Sequence, residues 1–409
     1  MTNSASDIII IGGGIIGNAI AYYLSMKTHA RIVVIEQNHL CSGSTSLAGS
    51  LITKLRGNTQ LIPMVEETHR AVSFLKDFIP DSINENRVGC LHVAISNDSV
   101  KSLEQLKNIA DNFNIDTETV TSAWIRNHIP WLKTAEIQKA LFAHDEFLVD
   151  GTQLGLVYAA AARKMGVKYF IHTEVTQLLA ENGKVTGVNT SCGQFTAEVV
   201  IDAAGIWSNR LLSALNVLLP YAPVRSVYFI TEPNPEKYPP NQPVCILPDA
   251  SAFTRPWDGA LLFGIRDKNS PATHPLRLHH DLHDQSFISP CEMWDILKNQ
   301  AATLLSLMNE PDNLKIGRNV AAPCAYSYDG NPLIGKVAGF EGLFAATGCS
   351  GGGIAASAGI GRLMAELVLN EPTFVQPEPF NPARFPEADP YSDEFMEQCS
   401  RQRSGKKSG

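Results

Sequence analysis

An excess of positive charge is missing from this chain of 409 residues, which has 33 Lys and Arg against 41 Asp and Glu and a net charge of −8. We expect no nucleic-acid partner and no binding to anionic lipid, because such binding needs surplus cations to neutralise phosphates. Cysteine pairs of the CxxC type are also missing, although the chain has eight cysteines. Scattered cysteines in a chain of this length indicate reduced thiols and a cytoplasmic protein rather than a disulfide framework.

Signals for secretion, nucleotide hydrolysis and metal binding are weak or absent. The first residues, MTNSASD, carry no positive charge ahead of the first apolar run, so we expect no secretory signal. No P-loop occurs. His279 and His283 have a spacing that zinc could use on a helix, but no Glu lies between them as in a metalloprotease helix. We therefore expect no metal site.

An apolar run, DIIIIGGGIIGNAIAYYL, extends from Asp7 to Leu24 but contains three consecutive glycines. A transmembrane helix needs about 20 apolar residues without such breaks, so we expect no integral membrane segment. The glycines instead divide the run into a predicted strand at 8–11 and a predicted helix at 15–26. The chain is also longer than the roughly 250–300 residues at which one hydrophobic core usually stops growing, so we expect two domains.

Three glycines of this run, Gly12, Gly14 and Gly17, have the spacing G-x-G-x-x-G of a dinucleotide-binding turn. Gly12 permits the tight turn, Gly14 lets the backbone approach a pyrophosphate, and Gly17 lets the helix and the strand lie close together. The first helical residues, Ile15 and Ile16, then offer N–H groups and the positive end of the helix dipole to the phosphates.

A second predicted strand, at 31–35, follows this helix and ends beside Glu36. A carboxylate about 20 residues beyond the last glycine accepts hydrogen bonds from an adenosine ribose and disfavours a 2′-phosphate. The strand, glycines, helix, second strand and acid occur in the required order. This part of the chain is therefore predicted to bind a dinucleotide.

Strand and turn patterns dominate much of the remaining sequence. A β-meander is predicted with turns at Asn182-Gly183 and Cys192-Gly193, and strands of a second sheet are predicted between 224 and 266. A glycine loop near the C-terminus leads into a long helix that is predicted to start near Ile354. The basic end at 401–409 is expected to be disordered. Further helices are predicted at 64–78, 100–112 and 289–308.

Four stretches of the sequence resemble the FAD-dependent D-amino-acid oxidase-like superfamily, and within it the branch of glycine and sarcosine oxidases and D-amino-acid dehydrogenases. They are IIIIGGGIIGNAIAYYL…VVIEQ, GSTSLAGS, VVIDAAGIWSNRL, and YDGNPLIG…GLFAATGCSGGGIAASAGIGRLMAEL. Each stretch alone is a weak signal, but together they span the chain from residue 8 to about residue 370.

The resemblance implies an α/β fold with a Rossmann-type FAD-binding domain and an interleaved α+β substrate domain that contains an antiparallel sheet. The cofactor would be FAD. The expected division of the chain assigns 1–88, 145–220 and 316–375 to the FAD-binding domain, 89–144 and 221–315 to the substrate domain, and 376–409 to a C-terminal extension.

The resemblance also assigns individual residues to FAD. The glycines of the first turn would hold the pyrophosphate and Glu36 the ribose, and a loop rich in glycine would lie under the pyrimidine edge of the flavin. That edge becomes negatively charged when the flavin is reduced, so the positive end of a following helix would stabilise it. The residues matched to FAD are Gly12, Gly14, Ile15, Ile16, Gly17, Glu36, Ser44, Thr45, Ser46, Gly49, Val175, Ala204, Gly205, Trp207, Gly348, Gly351, Gly352, Gly353 and Ile354.

The family's usual anchor for the substrate carboxylate is displaced in this chain. Amino-acid-oxidising members commonly have an arginine five residues before the Asp-Gly of a DG-x-P-x-I-G motif, but here Cys324 lies at that distance from Asp329. Arg318 and then Arg255 are the predicted replacements, and Arg225 is a third choice. Each of the three could instead be an ordinary salt-bridge residue.

Other substrate-side positions also depart from the family pattern. The aromatic hydroxyl of glycine-oxidase-like members would fall near Ala252 or Phe253, neither of which carries one. Tyr326 and Ser350 are further substrate-side candidates. The pair Cys324-x-Tyr326 resembles the segment of sarcosine oxidases whose cysteine bonds covalently to flavin, although the distance to Asp329 is shorter here. We favour a non-covalent flavin, with a covalent link through Cys324 as the alternative.

The expected function is FAD-dependent oxidation of the C–N bond of a small amine or amino acid. Hydride would pass to flavin N5, and the imine would be hydrolysed by water. The alternatives are oxidation of a C–O bond, as in a 2-hydroxy acid, and a non-catalytic or tRNA-modifying flavoprotein, against which the negative net charge counts. The electron acceptor, O2 or a quinone, and the oligomeric state stay open.

A non-covalent flavin leads to a direct test. We expect denaturation followed by filtration to send the yellow colour into the filtrate. Colour that stays with the protein, and that is lost in Cys324→Ser, would contradict this prediction and establish the covalent alternative.

Overall fold

The computed structural model describes residues 4–268, 270–385 and 388–406. Its elements alternate between strands and helices in the first part of the chain and are mainly strands in the second. The strands are β1 (Ser4–Ala5), β2 (Ile8–Ile11), β3 (Ile32–Ile35), β4 (Leu51–Ile52), β5 (Cys90–Ala94), β6 (Thr117–Thr119), β7 (Lys139–Ala143), β8 (Phe147–Leu148), β9 (Lys168–Phe170), β10 (Val175–Glu181), β11 (Lys184–Thr190), β12 (Gly193–Thr196), β13 (Val199–Asp202), β14 (Tyr221–Thr231), β15 (Val244–Leu247), β16 (Ala252–Trp257), β17 (Ala260–Ile265), β18 (Ile316–Ser327), β19 (Leu333–Lys336) and β20 (Leu343–Thr347).

The α-helices range from one long turn to seventeen residues. They are α1 (Ile15–Lys27), α2 (Ile62–Phe78), α3 (Asn97–Asn112), α4 (Ser122–His128), α5 (Gly151–Lys164), α6 (Ser208–Leu212), α7 (Pro290–Asp295), α8 (Ala302–Ser306), α9 (Ser357–Val368) and α10 (Asp393–Ser404). Within the described residues, none of these helices combines the length and the apolar character needed to cross a bilayer.

A six-stranded, mostly parallel sheet forms the core of the first layer. Its strand order is β19-β20-β13-β2-β3-β9, and only the edge strand β19 runs antiparallel to its neighbour. The central strands β2 and β3 consist of isoleucine and valine and are buried along their whole length, as expected for strands covered on both faces. Helices α1, α5 and α9 cover one face. This arrangement confirms the predicted Rossmann-type layer.

Helix α1 is buried nearly all round because its neighbours approach its backbone closely. A Cβ atom on Gly17 would overlap the carbonyl oxygen of Gly12 in the preceding turn. A Cβ atom on Gly361 of α9 would lie 2.8 Å from the backbone of Ala19. Glycine at these two positions therefore sets how closely α1 lies against its strand and against α9.

The predicted β-meander is confirmed as a four-stranded sheet with the order β1-β12-β11-β10. Its first turn places Asn182 and Gly183 at φ angles of 51° and 75°, in the left-handed region that Asn-Gly hairpin turns require. The second turn falls at Cys192 and Gly193, as predicted.

An eight-stranded and mainly antiparallel sheet forms the second layer, with the order β18-β14-β17-β16-β15-β5-β7-β6. The predicted strands between 224 and 266 lie in it. Strand β18 pairs with β14 from Tyr221–Ser327 to Thr231–Ile316. Residues 316–327 therefore belong to this sheet, whereas the expected division groups them with the FAD-binding domain.

The expectation of a disordered end was wrong for residues 401–406. Helix α10 lies against β14 and β18, and its Arg403 is buried. The guanidinium of Arg403 donates to Asp267 Oδ1 at 2.7 Å and to the carbonyl of Ile265 at 2.9 Å. Because Asp267 also accepts from Arg225 at 3.0 Å, a buried carboxylate joins α10 to the antiparallel sheet. Residues 407–409 lie outside the described residues.

Two helix predictions needed correction. The stretch predicted as one helix at 289–308 consists of α7, a π-helical turn at Ile296–Gln300, and α8. The helix predicted to start near Ile354 begins as a regular helix only at Ser357. The helices predicted at 64–78 and 100–112 are present and start two and three residues earlier.

The contact between Gly17 and Gly12 makes a prediction about stability. We expect Gly17→Ala to lower the free energy of unfolding of the apoprotein by about 3 kcal/mol or more, because backbone must move to admit the methyl group. Gly14→Ala is the matched control: its Cβ would meet Thr45 Oγ1 at 3.5 Å, an ordinary contact. Urea unfolding of both apoproteins would measure the difference, and equal stability would contradict the prediction.

Candidate active site

A cavity of about 500 Å³ lies between the two large sheets. One wall contains residues at the carboxyl ends of β2, β3, β13 and β20, where open parallel sheets bind ligands. The opposite wall belongs to the antiparallel sheet and contains residues of β14, β15, β16, β17 and β18. The part lined by Glu36 and Glu174 is called the nucleotide end here, and the part lined by Tyr228, Tyr326 and Arg266 is called the sheet end.

The glycine turn after β2 presents N–H groups to the cavity. Gly14 precedes α1, and no side chain caps this end of the helix. The N–H of Ile15 donates to Thr45 Oγ1 at 3.1 Å. Among the described residues, the N–H groups of Gly14 and Ile16 have no hydrogen-bond acceptor, and both residues line the cavity. Such groups at a helix start bind phosphate, so the turn fits a pyrophosphate.

The carboxylate of Glu36 lies beside this turn and lines the nucleotide end. Its oxygens accept hydrogen bonds from the backbone N–H of Gly13 at 2.7 Å and of Asn38 at 2.8 Å. Burial raises the pKa of Glu36, and these N–H donors act in the opposite direction. A second lone pair on each carboxylate oxygen is available to a sugar hydroxyl. The geometry is therefore consistent with the predicted ribose contact.

The loop rich in small residues contains four of the residues matched to FAD. Ser44, Thr45 and Gly49 line the cavity. Ser46 does not: its hydroxyl donates to the carbonyls of Ser42 and Gly43, each at 3.0 Å, and its side chain is exposed. Its predicted contact with the cofactor is not supported by this position.

The segment after β13 and the start of β10 also reach the cavity, through Ala204, Gly205, Trp207 and Val175. The N–H of Ala204 donates to Asp202 Oδ1 at 3.0 Å, and burial raises the pKa of Asp202 to about 6.

A loop around His280 covers the nucleotide end. Trp207 Nε1 donates to the carbonyl of His279 at 2.9 Å, and Gln37 Nε2 donates to the carbonyl of His280 at 3.1 Å. The His280 ring lies 3.1 Å from the Glu174 carboxylate. His279 and His283 do not share a helix face, because only a short 3-10 turn at Leu282–Asp284 is present. Within the described chain, no cluster of three or more His, Cys, Asp or Glu residues could hold a metal ion.

The glycine loop before α9 forms part of the sheet end. Gly348, Gly351, Gly353 and Ile354 line the cavity, whereas Gly352 does not. A Cβ atom on Gly351 would lie 2.9 Å from the Tyr326 hydroxyl, so a side chain would crowd the tyrosine. In the described part of the chain, the N–H groups of Gly353, Ile354 and the next residue have no acceptor. These groups suit a ligand edge that carries negative charge.

Of the four substrate-side candidates, the structure places only Tyr326 on the cavity wall. Tyr326 is buried, and burial raises its pKa. Ser350 is turned away, because its hydroxyl is 3.2 Å from Ser327 Oγ and also 3.2 Å from the backbone N–H of Ser327.

The predicted relocated arginines do not line the cavity. Arg318 and Arg255 lie on the cavity-facing side of their strands, but each contacts the ring of Trp257, at 5.4 and 4.9 Å from the ring centre. Arg318 is exposed, and Arg255 donates to the carbonyl of Gly49 at 2.7 Å. Arg225 lies on the other face, in ion pairs with Asp267 and with a glutamate of α7.

Sequence reasoning missed the cations that do line the sheet end, which are Arg266, Arg403 and Lys406. Burial lowers the pKa of Arg266 to about 10, so this side chain is charged at neutral pH. Arg266 follows β17, and Lys406 follows α10 at the far end of the chain. Tyr228 was missed as well, although the alternation in VRSVYFITE could have placed it on the same face as Ser226.

The residues present fit a flavin adenine dinucleotide. One cavity is lined by the glycine turn after β2, by the carboxylate of Glu36 and by the glycine loop before α9. In the described part of the chain, the turn and the loop both present N–H groups that have no acceptor. Residues 7–367 match the family described as DAO, FAD dependent oxidoreductase. The chain belongs to this family of FAD-dependent oxidoreductases, and its cofactor is FAD. The predicted family, fold class and cofactor are thereby confirmed.

Named relatives cover most of this chain. It is 26% identical over 367 residues, 89% of this chain and 41% of the relative, to the mitochondrial pyruvate dehydrogenase phosphatase regulatory subunit of Mus musculus. It is 25% identical over 362 residues, 88% of this chain and 43% of the relative, to 4-methylaminobutanoate oxidase (formaldehyde-forming) of Paenarthrobacter nicotinovorans. The chain thus spans about two fifths of the length of these relatives.

Solved structures show the same fold. The L-proline dehydrogenase from P.horikoshii superposes with a TM-score of 0.82 at 23% identity, over 94% of this chain and 99% of that one. At this identity the likeness establishes the fold and leaves the substrate open.

The Glu36 geometry gives a prediction for cofactor binding. We expect Glu36→Ala to weaken FAD binding by about 1.5–3 kcal/mol, because a charged acceptor is lost. An equilibrium titration of apoprotein with FAD, followed by flavin fluorescence, would measure this change. Glu397→Ala, on the exposed face of α10, is the control, and an unchanged FAD affinity in Glu36→Ala would remove Glu36 from the ribose site.

Proposed function

We propose that this protein oxidises the C–N bond of a small amine or amino acid. FAD supplies the acceptor for the two electrons and the hydrogen removed from the substrate carbon. The protein residues bind and orient the substrate at the sheet end, between the glycine loop and the aromatic side chains of Tyr228, Phe253 and Tyr326.

The distribution of acids and bases along the cavity carries this proposal. Among the described residues that line it, histidine and carboxylate side chains occur only at the nucleotide end, as Glu36, Glu174, His280 and Asp281. An alcohol needs a base of this kind to take its hydroxyl proton as it is oxidised. A neutral amine has a free lone pair on nitrogen and needs no such base. Among the described residues of the sheet end, Lys406 could take such a proton, because burial lowers its pKa to about 7. Oxidation of a neutral amine does not depend on that lysine, and this supports C–N oxidation.

Two buried tyrosines at the sheet end suit a small polar substrate. Tyr228 and Tyr326 are buried and each keeps its hydroxyl protonated, because burial raises the pKa of both. They can donate hydrogen bonds to a substrate, but they do not act as bases at neutral pH. The similarity to a protein named 4-methylaminobutanoate oxidase, whose name specifies an N-methylated amino acid, is consistent with this substrate class.

The test is an anaerobic screen that follows bleaching of the flavin absorbance. We expect small amines or amino acids to bleach the oxidised holoprotein and 2-hydroxy acids of the same size to leave it unchanged. Bleaching by 2-hydroxy acids alone would contradict the proposal.

The second candidate function is that of a non-catalytic flavoprotein, which the similarity to a protein named a regulatory subunit supports. A non-catalytic flavoprotein would show no bleaching with any small substrate, although dithionite would still reduce it.

Admission of air or of a quinone to the bleached protein would identify the electron acceptor.

A further inference from the structure

The end of helix α10 places a lysine on the cavity wall. Arg403, in the last turn of this helix, donates to Asp267 Oδ1 at 2.7 Å and to the carbonyl of Ile265 at 2.9 Å. The backbone N–H of Lys406 donates to the carbonyl of Arg403 at 3.3 Å, and the carbonyl of Lys406 accepts from the Arg266 guanidinium. The backbone of Lys406 is thus fixed beside the end of β17, and its side chain lines the sheet end.

The side-chain nitrogen of Lys406 lies beside the glycine loop. It is 3.5 Å from the carbonyl oxygen of Ser350 and 4.0 Å from the position of a Cβ atom on Gly351. The Tyr326 hydroxyl is 2.9 Å from the same Cβ position, so the amine and the phenol lie near each other at this loop. Within the described chain, no carboxylate forms a salt bridge with Lys406. A neutral lysine amine that donates to Ser350 keeps its lone pair for a bound molecule.

The ionisable groups around Lys406 come from four parts of the chain. They are Arg56 after β4, Arg266 after β17, Cys324 and Tyr326 on β18, and Arg403 on α10. Burial, and then the charges of Arg266 and Arg56, lowers the pKa of Lys406 to about 7. A large share of this lysine is therefore neutral at physiological pH.

The other ionisable side chains that the structure describes at the sheet end do not accept a proton at neutral pH. Arginine stays charged in proteins and has no acceptor. Burial raises the pKa of each thiol and phenol on this part of the wall, so these groups keep their protons. They are Tyr228, Cys324, Tyr326 and Cys349. In the described part of the sheet end, the lone pair of Lys406 is thus the one available to a substrate proton.

We propose that Lys406 accepts the proton that a protonated amine substrate must lose before its C–N bond is oxidised. This inference rests on the proposed C–N oxidation. Alkyl amines have pKa values of about 10, so in neutral water they are ammonium ions without a lone pair. The N–H bond of the bound ammonium breaks and its proton bonds to the Lys406 nitrogen. The freed electron pair forms the C=N bond as the substrate carbon loses hydride to FAD.

The pH dependence of anaerobic flavin bleaching tests this assignment, with the amine or amino acid that bleaches the flavin fastest in the screen. In the unaltered protein, the bimolecular rate constant should rise as the pH passes through about 7, where Lys406 loses its proton, and then level off. In Lys406→Met, the rise should move to about pH 10, where the substrate amine loses its own proton. This variant should be about 100-fold slower at neutral pH and nearly as fast as the unaltered protein at high pH.

Three further variants separate proton transfer from charge and from folding. Lys406→Arg keeps the charge but cannot accept a proton, so it should behave as Lys406→Met does. Lys406→His carries a base that titrates near neutral pH and should restore most of the rate. Arg401→Gln is the matched control on the same helix, because Arg401 is exposed and pairs with Glu397 at 2.7 Å. The FAD content and melting temperature of each variant verify that the fold is retained.

Proton release on binding gives a readout without turnover. tert-Butylamine and 2-aminoisobutyrate have no hydrogen on the carbon that bears nitrogen, so each can bind but cannot be oxidised. Between the pKa of Lys406 and that of the amine, binding to the unaltered holoprotein should release no proton, because the lysine keeps it. Binding to Lys406→Met should release a proton for each molecule bound. Calorimetry in two buffers of different ionisation enthalpy measures this number.

Specific outcomes would overturn the assignment. A pH profile of Lys406→Met that still rises near neutral pH would remove Lys406 as the proton acceptor, as would equal proton release in the two proteins. Full activity of Lys406→Arg at neutral pH would show that only the charge of the side chain matters. A rate lowered equally at every pH in Lys406→Met would show a structural effect.

The two proposals fail separately. If only 2-hydroxy acids bleach the flavin and Lys406→Met loses the rise near neutral pH, Lys406 takes a hydroxyl proton and C–N oxidation fails. If amines bleach the flavin and the pH profile is the same in both proteins, C–N oxidation stands and proton transfer to Lys406 fails.

Discussion

The contact between the backbone at Gly12 and the backbone at Gly17 is the constraint on which the cofactor half of this structure depends. Without side chains at these positions, the strand, the turn and helix α1 lie close enough for the first N–H groups of the helix to reach the cavity. Glu36 then fixes the turn by accepting the N–H of Gly13. Helices α5 and α9 cover the rest of α1, so the geometry of the phosphate site is supported by the core of the whole layer.

A second constraint governs the sheet end, where Asp267 is buried between Arg225 and Arg403. A buried carboxylate is stable only when it is paired and hydrogen-bonded, so removal of either arginine would leave charge uncompensated. The pairing joins β14, the end of β17 and helix α10. The position of Lys406 on the cavity wall therefore depends on this ion cluster, whose Arg403 also lines the cavity.

The parts that could be predicted from the sequence are those set by local spacing. The glycine turn, Glu36 and the Asn182-Gly183 hairpin each depend on residues close in the chain, and each lies where it was expected. Strand β18 was not predicted, and the expected domain division grouped its residues with the FAD-binding segments, because its pairing with β14 is decided by residues about a hundred positions apart. Lys406 was missed for the same reason. The sequence of the polar, basic end does not indicate that Arg403 pairs with the buried Asp267 and so places this end against the sheet. Arg318 was chosen because it lies upstream of the motif, and Arg255 because its strand was expected to face the flavin. The cations Arg266 and Lys406 instead follow the ends of β17 and α10.

The loop around His280 has a consequence for the holoprotein. It is joined to the FAD-binding layer through Trp207, Gln37 and Glu174, and it covers the nucleotide end of the cavity. His280, Asp281 and Leu282 of this loop line the same end of the cavity as Glu36. An adenosine moiety bound there would therefore be held between the FAD-binding layer and a loop from the other part of the chain. Contacts of this kind tie the order of a surface loop to the presence of the cofactor.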